Sequence, residues 1–403
     1  MPTKPVTKPG SLQCMIWFGA LWCLSCALLY PTAKKTFTRD VSCDIVAKRF
    51  PKDYWKARAA FRESATNASA ALSALEMGAD VGPGNLTIDV AFLQGSQPEH
   101  VLLHISGTHG VEGAAGSAIQ AKFLQDVASG ATKPGPSVLF VHALNPFGFE
   151  KLRRQNEGGV DLSRNLLDDA GFAAAAKADS SNYDALDAFI NPKGVSKFDF
   201  FWPKAAFYLA TRGVANLKAA FGSGQWHHKA GLFFGGDKVA RSHALLKDFL
   251  AKHPAVAGAK KLAVVDVQTG LGPWKLDTLT VDGDGQLELL RKAGLDEGLE
   301  ASRVESAAAA AGSTTAAAGY PALFGGAAEK LAITQKFGTV HMAQVFRHLR
   351  HENAVFHHGD EEERERPKMA LRDAFNPSGK CDWQTAVLAR GVEMLGQLNK
   401  HLA

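Results

Sequence analysis

Beyond residue 50 this chain carries a single cysteine, Cys381; the other four, Cys14, Cys23, Cys26 and Cys43, all lie ahead of it. A disulfide framework or a structural zinc cluster needs several cysteines at matched spacings, so neither organises the bulk of the chain. Cys23-Leu24-Ser25-Cys26 has no second pair to answer it, and a Cys43–Cys381 bridge is open without being required by anything in the sequence. An excess of one charge is missing too: 45 basic residues face 40 acidic ones, and Lys4, Lys8, Lys34, Lys35 and Arg39 of the N-terminal tail supply part of the formal +5. That balance makes no case for nucleic acid as a partner. There is no Gly-x-Ser-x-Gly elbow, no Gly-x-Gly-x-x-Gly after a strand, no Walker loop and no His-Glu-x-x-His. A serine hydrolase or a dinucleotide enzyme is therefore disfavoured.

Apolar residues are plentiful, at 46% of 403, and 39 glycines and 17 prolines punctuate them. This suffices for one large globular domain. The run CMIWFGALWCLSCALLY, residues 14–30, is uncharged and follows a basic stretch. It falls short of the roughly 20 residues that span a bilayer squarely, and Ser25-Cys26-Ala27 offers small residues for cleavage, so a signal peptide and a membrane tether both stay open. The expectation is a secretory or membrane-anchored protein, with a cytoplasmic one as the alternative if this extension is never translated or is disordered. Sequons at Asn67 and Asn85 suit the secretory route.

Residues 1–45 thus read as a tail and 46–403 as the domain. FPKDYWKARAAFRESATNASAALSALEMG reads as a helical lead-in with Tyr54, Ala57 and Phe61 on one face. Short apolar runs then alternate with helical stretches: LTIDVAFL, VLLHISGT, SVLFVHAL, KLAVVDVQT and KLAITQKFGT read as strands buried on both faces. The pattern predicts an α/β fold whose sheet is flanked by helices on both faces. Residues 170–260 read as helical cover plus loop, and the Ala-rich segment 304–326 as a mobile loop. DWQTAVLARGVEMLGQLNKHL should close the domain as a helix.

In such sheets, ligand sites form just beyond the carboxyl ends of strands. At one such end His109 and Glu112 stand three residues apart between glycines, and an imidazole nitrogen with a carboxylate oxygen at that spacing suits Zn2+. At a second, HALNPFGFEKLRRQNEGGVDLSRNLL carries Arg153, Arg154 and Arg164 with Asn145, Asn156 and Asn165. Guanidinium groups bind carboxylates in two-point fashion, and one of them could also polarise a carbonyl or stabilise an oxyanion. Two further strand ends, at Gln268 and Lys336, complete the search. His357-His358-Gly359-Asp360-Glu361-Glu362-Glu363 reads as a solvated face, and His227 and His228 as structural or supporting groups.

Together these segments resemble the zinc carboxypeptidases, and within them a branch described as a domain of unknown function. The resemblance runs from about Phe50 to the C-terminus. It rests on His109-Gly110-Val111-Glu112-Gly113, on Asn145-Pro146-x-Gly148 followed by Arg153-Arg154, and on Asp161-Leu162-Ser163-Arg164-Asn165. GQWHHKAGLFFGG, QTGLGP, KFGT and ALRDAFNP follow in the branch's order. It implies a mixed, mostly parallel, roughly eight-stranded sheet flanked by helices, one zinc ion, and cleavage of a peptide or small amide next to a free carboxylate. His109, Glu112 and Gln268 would then hold the metal, Asn145, Ser163 and Arg164 the substrate carboxylate, and Arg153, Arg154 and the residue at Lys336 would serve catalysis.

Three positions depart from that pattern. The branch places His where Gln268 stands, and a neutral amide oxygen is a weaker donor to zinc than imidazole. It places Glu, the general base, where Lys336 stands, and a protonated lysine cannot accept a proton. An ammonium ~5 Å from a dication at an effective dielectric of ~20 would be repelled by roughly 7 kcal/mol. Ser163 replaces Asn, a shorter hydrogen-bonding reach. Two expectations follow: an impaired zinc hydrolase, or an inactive relative that keeps a pocket for peptide C-terminal carboxylates. Glu329, nearby in sequence, and Asp277, which follows the Gln268 loop, are acids that could stand in for the missing base.

Overall fold

The computed structural model describes residues 43–195, 199–295, 303–306, 316–324 and 327–403. The apolar run at 14–30 and the centre of the Ala-rich segment lie outside them. The helices that frame the core and the site are α1 (Cys43–Arg49), α2 (Tyr54–Asn67), α3 (Gly113–Ala128), α4 (Pro146–Lys151), α5 (Phe201–Gly222), α6 (Arg241–Lys252), α7 (Met342–His358), α8 (Glu361–Phe375) and α9 (Cys381–His401). The strands are β1 (Ala71–Glu76), β2 (Thr87–Leu93), β3 (Gln97–Ser106), β4 (Pro136–His142), β5 (Lys261–Trp274), β6 (Asp277–Val281), β7 (Arg303–Ser306) and β8 (Glu329–Gly338).

They form one eight-stranded sheet in the order β1-β2-β4-β3-β5-β8-β6-β7. The centre, β4-β3-β5-β8, is parallel, β2 and β6 join it antiparallel on either side, and β7 runs parallel to β6. This is the mixed, mostly parallel α/β sheet expected. Alternation along the strands divides the core. Leu102, Val138, Phe140, Ala263 and Val265 pack on one side with Ile119 of α3 and Leu395 of α9. Leu103, Leu139, Val141, Leu262 and Val264 pack on the other with Leu246 and Leu250 of α6. Successive side chains of a strand point to opposite faces, so uninterrupted apolar runs fill both layers at once.

The lead-in differs from the single helix expected. α2 ends at Asn67, Ser69 takes φ 56, and Ala71–Glu76 forms the edge strand β1 against β2. A left-handed residue ends the helix, and the half-exposed alternation of ALSALE suits a sheet edge. At the described end of the Ala-rich segment, a 3-10 turn over Ala316–Leu323 seats Tyr320 in the core, followed by Phe324. Cys43 of α1 and Cys381 of α9 are joined by a disulfide 338 residues apart in sequence.

Candidate functional site

Three parallel strands deliver the site: β3 leads to His109, and within β5 Gln268 stands level with Lys336 near the carboxyl end of β8. His109 opens a 3-10 turn, Gly110–Glu112, whose backbone is clamped to the Arg153–Arg154 segment: Val111 N donates to Arg153 O at 2.8 Å and Gly110 N to Arg154 O at 3.4 Å. A side chain at Gly110 would put its Cβ 2.0 Å from the backbone of Gly148, so only glycine lets the two turns meet. Asn145 caps α4, accepting from Gly148 N at 2.8 Å, and donates to Arg154 O at 3.1 Å. Its role is to shape the turn that carries Arg154.

The clamp assembles a buried cluster of charges. His109 Nδ1 lies 3.0 Å from Glu112 Oε1, although its N–H is not aimed well enough to bond it, and Nε2 lies 3.0 Å from Asp161 Oδ1. Arg154 bridges the two acids, with Nη1 2.9 Å from Glu112 Oε1 and Nη2 3.2 Å from Asp161 Oδ2. Asp161 also accepts from Arg164 Nη1 and, at 2.6 Å, from Ser163 Oγ. Glu112 Oε2 accepts from Thr269 N at 2.8 Å. Burial pushes the Asp161 carboxyl up, but Arg154, Arg164 and His109 outweigh it and hold it well below the usual range. Glu112 is likewise lowered, against burial, by His109 and Arg154. Burial and Arg154 oppose protonation of His109, yet Glu112 and Asp161 win and raise its pKa.

Gln268 and Lys336 are register partners in β5 and β8, so their side chains leave one face of the sheet. Gln268 Nε2 donates to Asp266 Oδ2 at 2.7 Å, and Thr108 Oγ1 donates to Asp266 Oδ1 at 2.5 Å. Lys336 makes no hydrogen bond or ion pair with any described residue. Burial lowers its pKa and Arg154 and Arg164 add to this, while Glu112 and Asp266 pull the other way.

Other candidates lie elsewhere. Arg153 turns away into a buried pocket of α7, with Nε 2.9 Å from Glu352 Oε1, Nη2 bonded to Asn353 and its guanidinium 3.2 Å over the Phe356 ring. Its neighbour Arg154 reaches the cluster because consecutive residues of a turn face different ways. His228 pairs with Asp184 at 2.6 Å, and His227 bonds Ala178 O at 3.1 Å. Their block acts through its backbone instead: Phe234 O accepts from Asp161 N at 2.7 Å. Asp277 bonds Gln335 and Arg390, and Glu329 begins β8 beside His401, so neither substitutes for a base at Lys336. His357 and His358 end α7, exposed, and Glu361, Glu362 and Glu363 fill the first turn of α8, where the helix dipole favours acids. Asp161 and Asp266 did not stand out as site residues. The signal for Asp266 was a carboxylate inside the apolar run VVDVQ, and for Asp161 an acid three residues before Arg164.

A His and a Glu meet just beyond the carboxyl end of β3 in this mixed α/β sheet, backed by a second carboxylate, Asp161. The profile of the family described as "Protein of unknown function (DUF2817)" matches residues 50–390, and the chain belongs to that family. No curated protein sequence matches. Among solved structures, the chain is similar to a putative succinylglutamate desuccinylase/aspartoacylase from Shewanella frigidimarina, at 14% identity and TM-score 0.33 over 72% of each chain. It is also similar to carboxypeptidase A from Helicoverpa armigera, at 12% identity and TM-score 0.42 over 81% of this chain and 74% of that one. Bovine thrombin-activatable fibrinolysis inhibitor aligns at 11% identity and TM-score 0.42 over 84% and 97%.

A catalytic zinc requires three protein ligands and an open position, and the side chains here meet that requirement only in part. His109 Nδ1, without an aligned hydrogen bond and oriented through Nε2 by Asp161, is held as a metal-ligating imidazole is held. The rest of the set does not fit. Glu112 is taken by Arg154 and Thr269 N, Gln268 is turned to Asp266, and an unpaired ammonium stands beside it. No group of three or more His, Cys, Asp or Glu side chains among the described residues is arranged to hold a metal ion.

Proposed function

We propose that this protein binds the free carboxylate of a peptide C-terminus or of a small amide, in the manner of a carboxypeptidase-like pocket that has lost its hydrolytic machinery. One observation carries the reading: Lys336, near the end of β8 and beside Gln268, has no anionic partner among the described residues, while Arg154 and Arg164 each have one. A buried or half-buried charge without a partner is costly, and an incoming carboxylate relieves that cost. Arg154 and Arg164 keep Asp161 ionised, and an incoming carboxylate would favour the charged form of Lys336 against burial and those two arginines. Ser163 is spent on Asp161, so Lys336 replaces, as the anchor, the side chains that the resemblance implied. We assign these residues no step of bond cleavage, because among the described residues Glu112 and Asp161 are both held by arginines.

The test is titration calorimetry of the full chain with a short peptide bearing a free C-terminal carboxylate, and with the same peptide amidated. The free acid should bind and the amide should not, and Lys336→Met should weaken the acid by roughly tenfold to a hundredfold, the worth of one charge-assisted hydrogen bond. Near-stoichiometric zinc in the purified protein, abolished by His109→Ala and accompanied by peptidase activity, would overturn the reading in favour of a hydrolase. If Gln268→His with Lys336→Glu gains both zinc and activity that the unmodified chain lacks, the inactive-relative reading stands.

A further inference from the structure

A cavity of about 160 Å3 lies against the turn that carries His109 and Glu112. Its apolar wall comes from Phe50 just beyond α1, Val111 of the turn, Phe149 of α4 and Trp383 of α9. Phe50 and Trp383 are ring neighbours, with centroids 6.0 Å apart. The Cys43–Cys381 disulfide ties α1 to the start of α9, so two of the elements around the cavity are covalently joined. Ala47 of α1, exposed to solvent, stands at its rim. The charge cluster contributes no side chain to the lining, so this is a separate space.

Two polar side chains of the lining lack what burial demands. Asn376, 8% exposed, donates from Nδ2 to Val111 O, and its Oδ1 has no hydrogen-bond partner among the described residues. Gln384, 4% exposed, leaves Oε1 in the same condition. Buried acceptors without donors are destabilising, and a ligand's N–H or O–H relieves them. The lining also fixes the ligand's charge. Lys52 and Arg372 are its charged residues, and no acid joins them among the described residues, so a cation is disfavoured. Two unpaired carbonyl oxygens disfavour an anion. A neutral donor remains. Size sets the rest: an apolar cavity of about 150 Å3 takes benzene, so this one holds a single six-membered ring with a small substituent. Water alone satisfies the oxygens but gains nothing from the aromatic wall.

We propose that this cavity binds a small neutral molecule made of one apolar ring and an O–H or N–H donor, with the ring against Phe50, Phe149 and Trp383 and the donor on the unpaired oxygens of Asn376 and Gln384. Asn376 connects such an occupant to the turn, since it holds Val111 O while Val111 N holds Arg153 O at 2.8 Å. The site is independent of which ligand the carboxylate pocket takes.

The test is a pair of ligand-observed NMR titrations of the full chain, one with phenol and one with toluene, which share a shape but differ in the donor. Phenol should bind one saturable site and bind it roughly tenfold more tightly than toluene, the effect of one hydrogen bond to an otherwise unpaired acceptor. Ala47→Phe, at an exposed position, should block the rim and weaken phenol by roughly tenfold or more. Asn376→Leu with Gln384→Leu should erase the preference for phenol. Toluene binding as tightly as phenol would overturn the proposal, because the cavity would then be an apolar void. Saturable binding of neither would overturn it in favour of a space that holds water only. Phenol binding indifferent to Ala47→Phe would overturn it by placing the ligand elsewhere.

Discussion

Gln268 of β5 and Lys336 of β8 stand side by side, in register and on one face of the sheet. Backbone neighbours in a parallel pair are about 4.8 Å apart, so what one residue does constrains the other. Here the amide turns back to Asp266, and Lys336 has no anionic partner among the described residues.

Replacing Lys336 with methionine should stabilise the protein at neutral pH. Burial, with Arg154 and Arg164, lowers the folded pKa of Lys336 below its ordinary value. The unfolded chain then binds the extra proton between the lowered and the ordinary pKa, and wild-type stability rises with pH across that window. The advantage of Lys336→Met should therefore be greatest at pH 7 and shrink toward pH 10, in urea unfolding at both pH values. A destabilised variant at pH 7 would mean that Lys336 is paired.

Asp161→Asn should cost about 3 kcal/mol, because it leaves Arg154, Arg164 and His109 buried without their common carboxylate. The folded pKa of Asp161 is depressed, so its contribution is complete above the ordinary carboxylate pKa and is lost as pH falls from there toward the folded value. Asp161 also helps raise the pKa of His109, so the stability gap between wild type and Asp161→Asn should widen as pH falls from 8 through the titration of His109 and close only in stronger acid, where Asp161 itself is protonated.

Arg153→Met should lower stability by about 3 kcal/mol without changing affinity for a carboxylate ligand. Burial lowers the pKa of Arg153 and raises that of Glu352, which marks the pair as costly, and removing one partner strands the other. The double change Arg153→Met with Glu352→Leu should return to within about 1 kcal/mol of wild type. A loss of ligand affinity in the single variant would place Arg153 in the site after all.

Reduction, or Cys43→Ser with Cys381→Ser, should lower stability by about 2–4 kcal/mol, the usual worth of a disulfide closing a long loop. Chemical unfolding with and without reductant measures it. An unchanged midpoint would show that α1 contributes nothing to the cooperative unit.

Much of the fold was legible because uninterrupted apolar runs have few alternatives. VLLHIS, SVLFVH, KLAVVDV and KLAITQKF all became strands of the central sheet, since only a layer covered on both sides can bury every residue of such a run. β1 was misread because ALSALE is as compatible with a helix as with a half-buried edge, and the turn at Ser69 decides between them. The Cys43–Cys381 pairing was one option among others, since linear spacing carries no information about distances 338 residues apart.

For the site, the sequence by itself determined which residue types stand at the strand ends: His109 and Glu112, an arginine pair, and an amide and a lysine where a carboxypeptidase-like pattern has a ligand and a base. Chemistry of that kind is local, set by identity and short spacing. The tertiary structure alone decided who faces whom. It sent Arg154 to the acids and Arg153 to Glu352, brought Asp161 from 52 residues away to His109, and turned Gln268 to Asp266. Those choices depend on side-chain direction and on balancing buried charge, and both are properties of the packed whole.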